Sequence, residues 1–85
     1  MKKGTIIYVA GSEEMPENFD AEKAAAGLHL QTDRLEVVLS TDYSQCFMNA
    51  WWNMLVRGMG SIVCKTAEIV DEQELRLTGR ELRLC

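Results

Sequence analysis

The segment from Ser44 to Gly60, SQCFMNAWWNMLVRGMG, constrains the fold of this chain more than any other. At about 100° per residue, Phe47, Trp51, Met54, Leu55, Met48 and Met59 fall on one broad face of a helix. Gln45, Asn49, Asn53 and Arg57 recur every fourth residue on the opposite face. The spacing predicts a helix over 44–58. Trp52 and Val56 lie between the two faces, beyond the arc that one packing surface covers. Such a helix needs a second apolar contact besides its own sheet, and a partner is the expected source.

The segments around it read as strands and a second helix. Thr5 to Ala10, TIIYVA, is β-branched and apolar on both sides, which suits an interior strand ended by Gly11. A loop holding the only proline, Pro16, leads to Asp20, a suitable N-cap for a helix over 21–30. Lys23 stands where a capping box would have a glutamate. Gly27 costs this helix about 1 kcal/mol relative to alanine, and the small Ala24, Ala25 and Ala26 imply close packing. Thr32-Asp33 makes a turn. Leu35 to Ser40 is the second strand, with Leu35, Val37 and Leu39 inward. Thr41, Asp42 or Ser44 caps the tryptophan helix, and Gly58 and Gly60 supply its stop. Ile62 to Val70 is the third strand, with a turn over 71–73.

Two pairings suit the last residues. A turn at Gly79-Arg80 would place Leu75, Leu77, Leu82 and Leu84 on one face and Arg76 and Arg83 on the other. Alternatively, one longer bulged strand over 74–84 pairs with 62–70. The order is then β-α-β-α-β-β in a single domain, residues 1–85. The expected fold class is an α/β (α+β) two-layer sandwich, a mixed sheet with both helices on one face. The opposite face, carrying Glu36, Arg76 and Arg83, would meet water. The expected core is Phe47, Trp51, Met54, Leu55, Val37, Leu39, Ile7 and Val9.

Charge and cysteines narrow the function classes. The net charge is −4, and the basic residues are scattered. A nucleic-acid partner needs a basic stripe that displaces counterions from phosphates, so none is expected. Glu13, Glu14, Glu17, Asp20 and Glu22 form an acidic window, read as a solvated loop running into a helix N-terminus. It lacks the loop pattern of calcium sites. Cys46, Cys64 and Cys85 form no C-x-x-C pair, and His29 is the only histidine, so neither a zinc site nor a disulfide framework is expected. His29, between Leu28 and Leu30, reads as a partly buried, hydrogen-bonded side chain. No apolar run reaches membrane-spanning length. The expected location is the cytoplasm, where thiols stay reduced.

With its element order in view, the chain resembles the small bacterial sulfur-carrier proteins of the TusA/SirA type. In that family the first strand leads through a glycine into a C-P-x-P motif that opens the first helix. Here the corresponding segment is GSEEMPEN, Gly11 to Asn18, and Pro16 matches the motif's first proline. Met15 stands where the family has its sulfur-accepting cysteine, and Asn18 replaces the second proline. A thioether cannot carry a persulfide, so the resemblance implies the fold without the family's chemistry at its usual position.

Among candidate reactive groups Cys46 leads, because a helix N-terminus favours a thiolate. It falls on the polar side of the helix, near Asn53. Cys64, inside a strand, reads as a small buried hydrophobe. Gly11-Ser12 sits where phosphate loops sit, but it lacks the glycine spacing and the lysine, and its neighbours are acidic. The sequence therefore points to a non-catalytic protein-interaction module needing neither cofactor nor metal. Trp52, Val56, Met48 and Met59 are the expected contact residues, toward a homodimer mate or another protein. The alternative is a thiol-based sulfur-transfer or redox carrier using Cys46. A third is a small apolar ligand held between helices and sheet.

Overall fold

The computed structural model describes residues 1–84, and the side chains of all these except 42–44. The expected cap at Asp42 or Ser44 therefore lies outside the described side chains, and Cys85 lies outside the described residues. The elements are β1 (Lys3–Ala10), α1 (Ala21–Ala26), β2 (Arg34–Leu39), α2 (Tyr43–Val56), β3 (Ser61–Asp71) and β4 (Glu74–Arg83), with 3-10 turns at Ser12–Glu14 and Ser40–Asp42. They form one four-stranded mixed sheet in the order β2-β1-β3-β4. β1 is parallel to both β2 and β3, and β4 is antiparallel to β3. The mixed sheet and the β-α-β-α-β-β order agree with the sequence reading.

The layering does not. The two helices lie on opposite faces of the sheet, so the arrangement has three layers. Ile7 and Val9 of β1 pack with Phe19, Ala24, Ala25, Ala67 and Leu75 on the α1 side. Ile6 packs with Val38, Ala50, Met54, Met59 and Ile62 on the α2 side. The reason is topological. The connection from β1 to β2 moves one way along the sheet, and that from β2 to β3 moves back across β1. Parallel crossovers are right-handed almost without exception, and two of the same hand running in opposite directions leave their helices on opposite faces.

That geometry also decides how the last strand pairs. β4 is the single bulged strand. Its register against β3 shifts between Lys65 and Ala67. Gly79 has φ 90 there, a left-handed conformation that glycine adopts without strain. Leu75 and Leu77 join the α1-side core, whereas Leu84 joins the α2-side core. A hairpin with all four leucines on one face would suit a sheet covered once, and this sheet is covered twice.

The helices begin and end for local reasons. Asp20 caps α1, its carboxylate accepting the Lys23 N–H at 3.1 Å. α1 stops at Ala26, four residues earlier than expected. Gly27 follows, and His29 takes φ 53 in the left-handed region and is exposed rather than half-buried. α2 ends at Val56, two residues before the expected end, and the expected stop is at Gly58, which has φ 77. The Gly58 N–H bonds the Leu55 carbonyl and the Met59 N–H bonds the Met54 carbonyl, each at 3.1 Å. This is a Schellman stop, completed by apolar packing of Met59 with Met54.

The core set needs revision. Ile7, Val9 and Met54 are buried, while Phe47, Trp51, Val37 and Leu39 are half-buried. Leu55 is 41% exposed. Val38, Ala50, Ile6 and Ile62 take the buried places on the α2 side instead.

Candidate interaction surface

α2 carries no Asp, Glu, Lys or Arg, in a chain of which 26% of residues are charged. Ala50 and Met54 set its buried line against Ile6, Val38 and Ile62. Rotating from that line past half-buried Phe47 and Trp51 brings the outer side chains into view. Met48 is 58% exposed, Trp52 65%, Leu55 41% and Val56 61%. Met48, Trp52 and Val56 are spaced four apart and form one ridge, with Leu55 beside it. Three of the four expected contact residues therefore lie together on the outside. Met59 does not join them. It follows the helix stop, is 9% exposed and belongs to the core. Leu55 takes its place. Sequence periodicity assigned Leu55 to the core because the small Ala50, which marks the true buried line, carries almost no weight in a hydrophobic pattern.

The sheet beside α2 is open. α2 packs mainly over β2 and β1 and reaches Ile62 of β3, while the stretch of β3 and β4 around Cys64, Thr66 and Leu82 borders an open cavity. An open-sided cavity of about 350 Å³ lies there, lined by Tyr8, Phe47, Cys64, Thr66, Arg80, Glu81 and Leu82. Leu82 is largely exposed. Glu81 pairs with Lys65 at 3.8 Å. Arg80 makes no ion pair among the described residues. Burial pushes the Cys64 thiol above the ordinary thiol range, since the thiolate would lose hydration there. This keeps Cys64 largely protonated at neutral pH and slows its reaction with alkylating agents. The cavity was not foreseen. Its signal lay in the parity of Leu82, which follows Cys64 to the α2 side once the bulge is recognised. The Trp51 Nε1–H is buried and meets no acceptor among the described residues.

Cys46 is half-buried against the α2-side core rather than on the polar side of the helix. It also lines a second groove together with Met15, Phe19, Val37 and Leu39, around the open edge of β2. The fold thus brings the Cys46 thiol to the same groove as Met15. Cys46 and Cys64 are free thiols. They sit on opposite flanks of α2, Cys64 in the cavity and Cys46 in the groove.

In this strand order the ligand crevice of an open α/β sheet lies at the carboxyl ends of β1 and β3, and here that crevice is open and bordered by Glu14, Glu68 and Asp71. The carboxyl ends of β1 and β2 are instead tied together by hydroxyls. Ser12 Oγ lies 2.7 Å from Ser40 Oγ, the Ser12 N–H donates to Ser40 Oγ at 3.0 Å, and the Thr41 N–H donates to Ser12 Oγ at 3.0 Å. Ser40 also donates to Glu13 at 3.2 Å. Glu13, Glu14, Glu17, Asp20 and Glu22 are all exposed, so the acidic window is a solvated surface. Among the described residues no three His, Cys, Asp or Glu side chains converge in a metal-binding arrangement. No helix there is long and apolar enough to cross a membrane. No protein-family model matches the chain, and neither a curated protein nor a solved structure does.

Proposed function

We propose that this protein is a non-catalytic protein-interaction module whose contact surface is the outer ridge of α2. One observation carries the reading. A helix without a formal charge leaves Met48, Trp52, Leu55 and Val56 between 41% and 65% exposed on one side. Protein interfaces are depleted of charge at their centres and enriched in tryptophan and methionine, and buried tryptophans dominate their energetics. Contiguous apolar surface of this kind marks an association site more often than chance exposure. The module acts in the cytoplasm on this reading, where the Cys46 and Cys64 thiols remain reduced. The test is site-specific photo-cross-linking in the native host. A photoreactive side chain at position 52 is expected to give discrete protein adducts that the same group at exposed Glu22 does not. Equal, unresolved labelling at both positions would defeat the reading.

A second reading has its own support. Cys46 shares a groove with Met15, so the chain carries a thiol beside the position that the sulfur-carrier resemblance marks. In that role the Cys46 thiolate attacks the outer sulfur of a donor persulfide, forms a new S–S bond and releases the donor as thiolate. Incubation with a persulfide donor, followed by peptide mass measurement, should then show one added sulfur on Cys46 and none on Cys64. An unmodified Cys46 would remove this reading.

A further inference from the structure

We propose that the partner of α2 is a second copy of this chain, and that Met48 and Trp52 of each copy fill the open half of the other's sheet. The proposal rests on α2 being a contact surface and names what it contacts.

Three observations lead to it. The first is width. Strands lie about 4.8 Å apart, so four of them make a face roughly two helices wide, while a helix with its side chains spans about 10 Å. α2 sits mainly over β2 and β1, leaving an open slot beside it over β3 and β4 where Cys64, Thr66 and Leu82 lie. The second is orientation. The buried line of α2 runs through Ala50 and Met54, and Met48, Trp52 and Val56 point away from its own sheet. Phe47 lines the slot, so the flank of α2 that continues through Trp51 to Leu55 faces toward it. A two-fold axis running along α2 then sets the two helices side by side in one shared layer, parallel to each other and each covered by its own sheet on one side. Leu55 meets the other copy's helix across the axis. Met48 and Trp52 face the other copy's slot, and helical side chains lean toward the helix N-terminus, which carries Trp52 toward the Phe47 end where the cavity lies.

The third is chemistry. The ridge is apolar and uncharged, so a neutral apolar receptor complements it, whereas a charged one would lose hydration without gaining a partner. The slot's cavity is mostly apolar, with Tyr8 and Phe47 as aromatic walls and Leu82 as an apolar one, and the carboxylate in its lining, Glu81, is paired with Lys65. Arg80 at its margin is free of any ion pair among the described residues and can stack on an indole face. Knob and hole belong to the same chain, the knob exposed and the hole open to solvent. The resulting contact is isologous and closed, with each copy supplying both halves.

Sedimentation velocity over a concentration series, read together with cysteine alkylation, tests this. Wild type is expected to sediment as a dimer at the upper concentrations. Trp52→Ser removes the knob and Leu82→Glu places a charge in the slot. Both positions are exposed in the single chain, so each variant should keep the wild-type circular dichroism while sedimenting as a monomer. Cys64 should be alkylated several-fold faster in each variant than in the wild-type dimer, with Cys46 unchanged as the internal control. A wild type that stays monomeric throughout overturns the proposal, and so does a dimer that survives Leu82→Glu. Adducts at position 52 made only with other proteins would overturn the self-docking while leaving α2 as the contact surface.

Discussion

The two faces of the sheet are closed by different means. On one, α1 is a six-residue helix whose Ala24 and Ala25 let it approach closely, within reach of both β2 and β4. Its flanks are filled by loop residues, Phe19, Leu28 and Leu30. On the other, α2 is fourteen residues of bulkier side chains set off-centre over β2 and β1. The small helix sits centrally and leaves little apolar surface outside. The large one covers half its face and carries an apolar ridge into solvent. A small domain buries only a modest share of its surface, so a long helix whose apolar arc is wider than one packing surface is hard to satisfy internally. Size of helix and completeness of burial thus run in opposite directions here, and the incompletely buried element is where function is proposed.

The largest effect that could break this comparison lies in β1. Ile6 and Ile7 are adjacent, fully buried, and point to opposite faces. Ile6→Ala and Ile7→Ala should each destabilise the fold by about 2–5 kcal/mol in urea titration. A sheet covered on one face only would give that loss at one position and almost none at its neighbour.

This pair also shows what the sequence disclosed. The run TIIYVA is β-branched or apolar on both sides of the strand, and that pattern already signals a strand buried on both sides. Element order and boundaries, read from periodicity and turn residues, came within two residues for every strand and for α2. The layering is not encoded locally. It follows from which neighbour each strand joins, and a sequence pattern does not state that. The same gap misplaced Leu75, Leu77, Leu82 and Leu84 as one face. Helix phase failed differently. Large side chains dominate a periodicity count, so Leu55 displaced Ala50 from the buried line. Val37 and Leu39 do face a core, that of the α1 side, but lie only half-buried on an edge strand, and the buried residue of β2 is Val38 on the other side. Of the candidate surface, Trp52 and Val56 were legible because adjacent tryptophans on a helix cannot both face one sheet. The cavity beside Phe47 was not, because residues from β1, α2, β3 and β4 meet there only in the folded chain.

Helix termini sharpen the contrast at lower energies. α2 depends on its C-terminal stop, where Gly58 sits at φ 77. Gly58→Ala should cost about 1–2 kcal/mol, the penalty of placing a Cβ in the left-handed region. α1 depends on its N-terminal cap. Asp20→Ala should cost about 1 kcal/mol, since the Lys23 N–H loses its acceptor but remains exposed to water. Amide hydrogen exchange should localise each loss, in the last turn of α2 for the first and across the short α1 for the second. Loss spread evenly over both faces would show that the two layers fold as one unit and are not separable in the way described.

The smallest intrinsic effect belongs to Trp52, and its smallness is informative. Trp52 is 65% exposed and packs into neither core cluster. Trp52→Ser should therefore change the stability of the isolated chain by no more than about 0.5 kcal/mol, as exposed substitutions usually do. Stability measured at low protein concentration should match wild type. At high concentration the curves should separate, because association stabilises only the folded wild-type chain, and by an amount that grows with concentration. Neighbouring Trp51 offers the control. It is half-buried against the α2-side core and in ring contact with Phe47 at 6.5 Å between centroids, so Trp51→Ser should destabilise the fold at every concentration. Two adjacent tryptophans would then report separately on the two sides of one helix, one on the fold and the other on its partner. A Trp52→Ser variant that loses stability at low concentration would instead mean that the ridge is held within the chain, and the contrast between a finished face and an unfinished one would fail.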